Sequence, residues 1–380
     1  MKKDKKGKAK KSLSMLLVMA ISLVFGVAIG FLLVSRNDGE SLSPRVMLIT
    51  LAIMLLMVYS AMIIQIILHE LGHLIFGLLS GYRFQSFRIF GIMLNKEDGR
   101  LRLRRLSLLG TAGQCLMAPP DMKDGKMPIL LYNFGGVIMN VLTAIAFLAL
   151  SLVFSDVAIF STWMRLLSLC GLLFALTNGI PARAATVNND GYNAIEAKKS
   201  AEAMRALWIQ LKVNELAAGG VRLKDMPEEW FAVPSDEQMK NGLVATLGVI
   251  ACNRLFDECR FDEADRLMEH ILNIKSSMAG IYRNLITCDR IYIELITECR
   301  REVIDVMMNA EQKRFMKGMR RFISVLRTEY AYSLLLSKDE ERARKLKVAF
   351  EKCAKRHPSK SDVESERELV LIAEERSLQS

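Results

Sequence analysis

Apolar residues fall into four long blocks in the first half of the chain and break into helix-period patterns in the second. Residues 13–34, 46–68 continuing to about 80, 128–154 and 157–180 are each near-continuous apolar stretches. Each reaches the roughly 20 residues a helix needs to cross the hydrocarbon of a bilayer, so the pattern predicts four transmembrane helices. Between the second and third blocks the period falls to two. Tyr82 to Phe90 alternates bulky and polar side chains for much of its length, Asn95 to Gly99 supplies turn chemistry, and Arg100 to Arg104 alternates again. That is a β-hairpin signature; Gly110 to Gln114 and Pro119-Pro120 then read as an irregular loop. From Glu196 onward the pattern is helical, with an amphipathic stretch to Leu216, a connector at Met226 to Phe231, and helix-length segments after 239.

The expected fold is therefore mainly α. It comprises a polytopic membrane protein with about four transmembrane helices and a small membrane-associated β-hairpin, followed by an all-α cytosolic domain. Three units follow: residues 1–45 as a basic tail, signal anchor and short external loop, 46–195 as the membrane core, and 196–380 as the helical domain. Phe261 to Leu267 and Asp339 to Leu346 resemble helix openings of tetratricopeptide repeats. Ala264 and Ala343 are 79 residues apart, not a multiple of the expected period of about 34, so regular repeats do not follow. Binding of a cytosolic protein partner is the use expected of such a helical stack.

Charge changes the picture through its location. The net charge is +11. Residues 1–11 supply +6 and residues 82–105 supply +5, while 196–380 hold 32 basic and 31 acidic residues. The helical domain thus has no cationic bias that would attract phosphate backbones, and nucleic acid is excluded as a partner. The positive-inside rule puts both basic segments in the cytosol and the loop at 35–45 outside, and four spans return the C-terminus to the cytosol. The corresponding expectation is a multi-pass protein of a bacterial cytoplasmic membrane with both termini cytosolic. The first span reads as a retained anchor, since its apolar stretch is longer than a signal-peptide core and no small-x-small site precedes Ser35. Its Gly26 and Gly30 permit close helix contact. Seven cysteines without a C-x-x-C pair read as reduced packing residues.

The candidate chemistry sits in the second block, at His69-Glu70-Leu71-Gly72-His73. On a helix, residues four apart share a face, so His69 and His73 can offer two imidazoles to one metal ion, with Glu70 beside them to act on water. The alternative is a pair of packed histidines hydrogen-bonded to backbone. Two of the chain's four histidines fall here in ligand spacing around a glutamate. Such groups are costly in hydrocarbon unless paired or metal-bound, which favours the metal. A continuous helix from Val46 to Ser80 would be about 52 Å long and must tilt, kink or project, with His69 about 16 Å from its cytosolic end.

Three further stretches bear on the site. Gly135-Gly136 lets helices approach closely, and Asn140 either bonds across helices or lines the site. Pro181 should end the fourth span near Asn178, exposing backbone and an amide at that depth. Asp190-Gly191 reads either as an ordinary turn or as the return of Asp190 as a third, anionic ligand, which leaves one position of zinc open for water.

Together, His69-Glu70-x-x-His73 in a membrane helix, Gly135-Gly136…Asn140, and Asn178-x-x-Pro181…Asp190-Gly191 resemble the site-2 protease family of intramembrane zinc metalloproteases, over about residues 46–195. The resemblance implies zinc on His69, His73 and Asp190, Glu70 as catalytic base, Asn178 and Asn140 as substrate-binding residues, and a transmembrane or membrane-anchored peptide as substrate. The activity implied is hydrolysis of peptide bonds by metal-activated water. The competing expectation is a non-proteolytic membrane scaffold with a structural or vestigial metal. The hairpin is expected either to rest on anionic lipid or to hold an unwound peptide as an added strand along its edge.

Overall fold

The computed structural model describes residues 43–97, 99–105, 112–182 and 188–379. The expected first span at 13–34, with Gly26 and Gly30, lies outside these residues. Among the described residues three helices are long and apolar enough to cross a membrane.

The first, α1, runs unbroken over Pro44–Leu79. Ser43 caps it, accepting from the Val46 N–H, and Pro44 occupies the first turn, where its missing donor does no harm. Its buried positions include Met54, Ala61, Gln65, His69, Glu70 and His73. These lie on one stripe at spacings of mostly four and seven, while Leu48, Leu55 and Leu56 on other faces are more than 60% exposed. Exposed leucine at that density suits lipid, and the stripe is what the other spans cover. A short helix α2 (Ile129–Asn133) leads through Phe134 into α3 (Gly135–Val153), and α4 spans Ala158–Gly179. Helices α1, α3 and α4 pack on one another. The approach of α3 to α1 is close enough that a Cβ on Gly72 would lie 2.3 Å from the Gly135 carbonyl oxygen.

The segment 82–105, expected as one hairpin with its turn over Asn95 to Gly99, holds three of the four strands of a larger sheet, and Asn95 to Glu97 belong to a strand. Strands β1 (Arg83–Ile89), β2 (Ile92–Glu97), β3 (Arg100–Arg105) and β4 (Gly113–Ala118) form an antiparallel sheet in the order β3-β2-β1-β4. Phe87 pairs with Leu94 on one side and Cys115 on the other. The stretch from Gly113 was expected as irregular loop, and this is corrected. Gly-Gln-Cys-Leu-Met-Ala has no β-branched residue to announce a strand; pairing with β1 and burial of Cys115 and Met117 against Tyr82 and Tyr132 make it one. On the outer hairpin, buried Glu97 accepts from Arg104 Nε at 2.8 Å and Nη2 at 2.6 Å, so one of the basic side chains is held by the sheet itself.

After α4 come α5 (Asp190–Ala197), α6 (Ala201–Ala218), α7 (Gly242–Asp257), α8 (Phe261–Asn273), α9 (Gly280–Ile296), α10 (Arg301–Met307), α11 (Ala310–Gly318), α12 (Ile323–Ala331), α13 (Glu340–Ala354) and α14 (Lys360–Gln379). The two segments resembling repeat openings do begin helices, α8 at Phe261 and α13 after the cap Asp339. This part packs against the sheet: Trp208 Nε1 donates to the Pro120 carbonyl at 3.0 Å and Asn95 Nδ2 to the Pro358 carbonyl at 3.3 Å. All seven cysteines are free.

Candidate metal centre

The stripe of α1 brings His69 and His73 side by side. Each ring is fixed through its Nδ1. His69 Nδ1 is 2.6 Å from Asn140 Oδ1, and His73 Nδ1 is 2.8 Å from the Tyr132 carbonyl oxygen. A carbonyl oxygen can only accept, so both Nδ1 atoms carry the proton and both Nε2 atoms present lone pairs. Those two lone-pair nitrogens are 3.1 Å apart, and Asp190 Oδ2 lies 3.0 Å from one and 3.3 Å from the other.

Asp190 reaches this position because the chain doubles back after α4. That helix ends at Gly179, two residues before Pro181, as the missing N–H of proline requires. Asn189 then pins the return. Its amide nitrogen donates to the carbonyls of Thr177 at 2.8 Å and Ile180 at 2.6 Å, and its oxygen accepts from the N–H groups of Ala182 at 3.0 Å and Tyr192 at 2.9 Å. Asp190 is thereby the first residue of α5, where the helix dipole favours a carboxylate.

Three acceptor atoms converging at about 3 Å with no donor between them repel one another, and a cation resolves the conflict. Tetrahedral zinc with nitrogen and oxygen ligands at about 2.0–2.1 Å separates its ligand atoms by about 3.3 Å, close to the three separations found here. The donor set therefore fits zinc, with the fourth direction open to the cavity.

That cavity, about 450 Å³, is lined by His69, Glu70, His73, Asn178 and Asp190 among others. Glu70 is 7% exposed. It is packed so tightly against β4 that a Cβ on Gly113 would lie 2.4 Å from its Oε1. Asn178 stands on the wall, its Nδ2 donating back to the Phe174 carbonyl at 3.0 Å. Asn140 is placed differently from the substrate-binding role expected of it. It is fully buried and absent from the cavity wall, because its oxygen is committed to His69 and its nitrogen to the carbonyl and Oε1 of Gln65 at 3.1 and 2.8 Å.

Gln65 and Asn189 escaped the reading of the sequence, as did Arg88. Gln65 is a lone amide one turn before His69 in an apolar run, a signal of spacing that was available. Asn189 carries the signal of a helix cap. Arg88 is 1% exposed within β1; burial pushes its guanidinium down and nearby Glu70 pushes it back up. Nothing in the alternation of β1 marks it out.

A family model described as peptidase family M50 matches residues 57–332, more than two-thirds of the chain. The match holds His69, Glu70, His73, Asn140, Asn178 and Asp190 and continues through the helices as far as α12. No curated protein and no solved structure matches the chain.

Proposed function

Because the chain belongs to peptidase family M50, the site-2 protease family, we propose that it is a zinc-dependent intramembrane endopeptidase acting on membrane-embedded or membrane-anchored polypeptides. The observation that carries this reading is the convergence of His69 Nε2, His73 Nε2 and Asp190 Oδ2, at 3.0 to 3.3 Å from one another, beside the carboxylate of Glu70 in one cavity. His69, His73 and Asp190 would hold the ion. When bound, zinc supplies Lewis acidity toward the scissile carbonyl and makes water acidic enough to ionise near neutral pH.

The chain's own residues do the remaining work. Glu70 takes a proton from the attacking water and passes it to the leaving amine, so one carboxylate serves as base and then as acid. Asn140 and the Tyr132 carbonyl keep both imidazoles in the tautomer that faces the ion. Asn178 offers a carboxamide to the substrate main chain. A peptide in a transmembrane helix hides its amides in internal hydrogen bonds, so it must unwind before it can be cut. Gly113 brings β4, at one edge of the sheet, next to Glu70. The charge distribution supports a site reached from the cytosol, with both termini and the helical domain on that side and a cytosolic protein as a partner for that domain.

The test is purification in detergent with metal analysis and a Glu70→Gln comparison. About one zinc per chain is expected in both proteins, with turnover at least about 100-fold lower in Glu70→Gln. A single-pass peptide that accumulates in membranes only when Glu70→Gln replaces the wild type would identify the substrate class. Absence of stoichiometric zinc, or equal cleavage by Glu70→Gln, would return the chain to the scaffold reading.

A further inference from the structure

A second cavity, about 460 Å³, adjoins the metal cavity, and Gln114, Leu116, Asn188, Asn193 and Leu207 line both. It lies between the sheet, α6, α7, α9 and the segment from His357 to Asp362. Its size falls in the roughly 300–1,000 Å³ range of ligand clefts.

The wall has an unusual composition. Gln85, Gln114, Asn188, Asn193 and Asn214 converge on it from four places in the chain, and their side-chain amides form no hydrogen bond with other described residues. Among the described residues no Lys, Arg or Glu lines it, and Asp362 is its one carboxylate, although a quarter of the chain is charged. Between the amides lie apolar side chains such as Leu116, Leu207 and Leu243.

A carboxamide carries the same donor and acceptor as a peptide group. A set of uncommitted carboxamides therefore matches an extended backbone, which exposes one N–H and one C=O per residue once its helix has opened and which needs partners for both. A wall with a single carboxylate and no Lys or Arg gives almost no counter-ions to charged side chains, so burying them there is unfavourable. We infer that this cavity is the subsite for the unwound, uncharged polar flank of the polypeptide whose scissile bond lies at the metal centre, with Gln85, Gln114, Asn193 and Asn214 bonding to its main chain. Selection then rests on an unwound, neutral flank more than on particular side chains. The identity of the ligand rests on the protease reading, whereas occupancy of the cleft can be measured without cleavage.

The experiment uses the full chain carrying Glu70→Gln in detergent micelles. The probe is a synthetic peptide with an apolar span of about 20 residues and a flank of Ser, Thr, Gln and Gly bearing a benzophenone, whose cross-links are mapped by mass spectrometry. Adducts are expected on β1 near Gln85 and on α6 between Leu207 and Ala218. Filling the cleft with Ala218→Trp should lower them about 10-fold, and a flank of alternating Lys and Glu should lower them by a similar factor. Bound zinc should be unchanged in the variant. Should Ala218→Trp fail to fold, Asn214→Leu, at an exposed position, decides the matter with an expected loss of about threefold. Adducts scattered over the surface, adducts insensitive to both substitutions, or equal labelling by the charged flank would overturn the inference. Cleft adducts from a wild-type protein that cuts nothing would sink the protease reading and keep the subsite; cleavage with no adducts in the cleft would do the reverse.

Discussion

Asn140 Oδ1 lies 2.6 Å from Nδ1 of His69, and Asn140 Nδ2 lies 2.8 Å from Oε1 of Gln65. Gln65 Nε2 in turn donates to the Leu167 carbonyl at 2.8 Å. One line of polar contacts thus crosses α4, α1 and α3 and ends at a metal-facing imidazole. It couples the packing of three apolar helices to the orientation of His69, since a polar group left unpaired in hydrocarbon is costly.

Replacing Asn140 by Leu should therefore weaken zinc binding about 10- to 100-fold without unfolding the membrane helices. Asn140→Asp, which keeps the acceptor, should recover most of the loss. Competition against a chelator of known affinity checks both, and equal affinity of wild type and Asn140→Leu would show that His69 needs no orienting partner.

Two glycines separate the metal from the base. A Cβ on Gly136 would lie 2.5 Å from Cε1 of the His69 ring, whereas one on Gly113 would meet Oε1 of Glu70 at 2.4 Å. Gly136→Ala should lower zinc occupancy and activity together. Gly113→Ala should keep the zinc and lower kcat by about 10-fold or more, as expected for a displaced general base. Metal content measured beside turnover distinguishes the two, and loss of zinc in Gly113→Ala would contradict the assignment.

How far the site can be read from sequence depends on which contacts are local. His69, Glu70 and His73 are legible because four residues make one turn, so one helix places all three. Asp190 is legible through chemistry, as a carboxylate after a helix-breaking proline. The Gln65–Asn140 link joins residues 75 positions apart and needs the packing of α1 on α3 to exist. Strand β4 was illegible because its residues have weak strand preference and its partner β1 decides the matter. The carboxamide cleft was illegible for a related reason: Gln85, Gln114, Asn193 and Asn214 lie on four elements, and none is unusual in its own segment. The apolar helices expected over 128–154 and 157–180 were legible to within about two residues because length and hydropathy alone define them.

The order of the sheet bears on which edge could receive a peptide. Leu103 lies on β3, 72% exposed and paired with Leu94, at the edge separated from Glu70's neighbour β4 by two strands. An added strand there would lie far from the base. Leu103→Pro should accordingly leave kcat/KM within about twofold, since proline is tolerated on edge strands. A large drop in kcat/KM with zinc retained would restore β3 as the receiving edge.

The helical part carries a pH dependence of its own. Arg327 is fully buried, with Nε 3.2 Å from Glu366 Oε2 and Nη2 2.5 Å from Asp289 Oδ1, and its guanidinium lies over the Tyr292 ring at 4.4 Å. Burial pushes the Glu366 carboxyl up to about 7; Arg327 beside it pulls down, and Asp289, Asp362 and Asp257 push up. A raised carboxyl favours the fold while it stays protonated. That contribution is complete below the unfolded value near 4.5 and is lost as pH rises toward 7, because the unfolded chain ionises first. The loss amounts to at most about 3 kcal/mol. Asp289, also raised by burial, adds to the same slope. Heating followed by hydrogen exchange in α9, α12 and α14 should show protection falling between pH 5 and 7.5. Glu366→Gln should flatten that fall and raise protection at pH 7.5, while Arg327→Leu, which strands two buried carboxyls, should cost about 3–5 kcal/mol at pH 7.5 and less at pH 5. An unchanged pH slope in Glu366→Gln would remove Glu366 as its source.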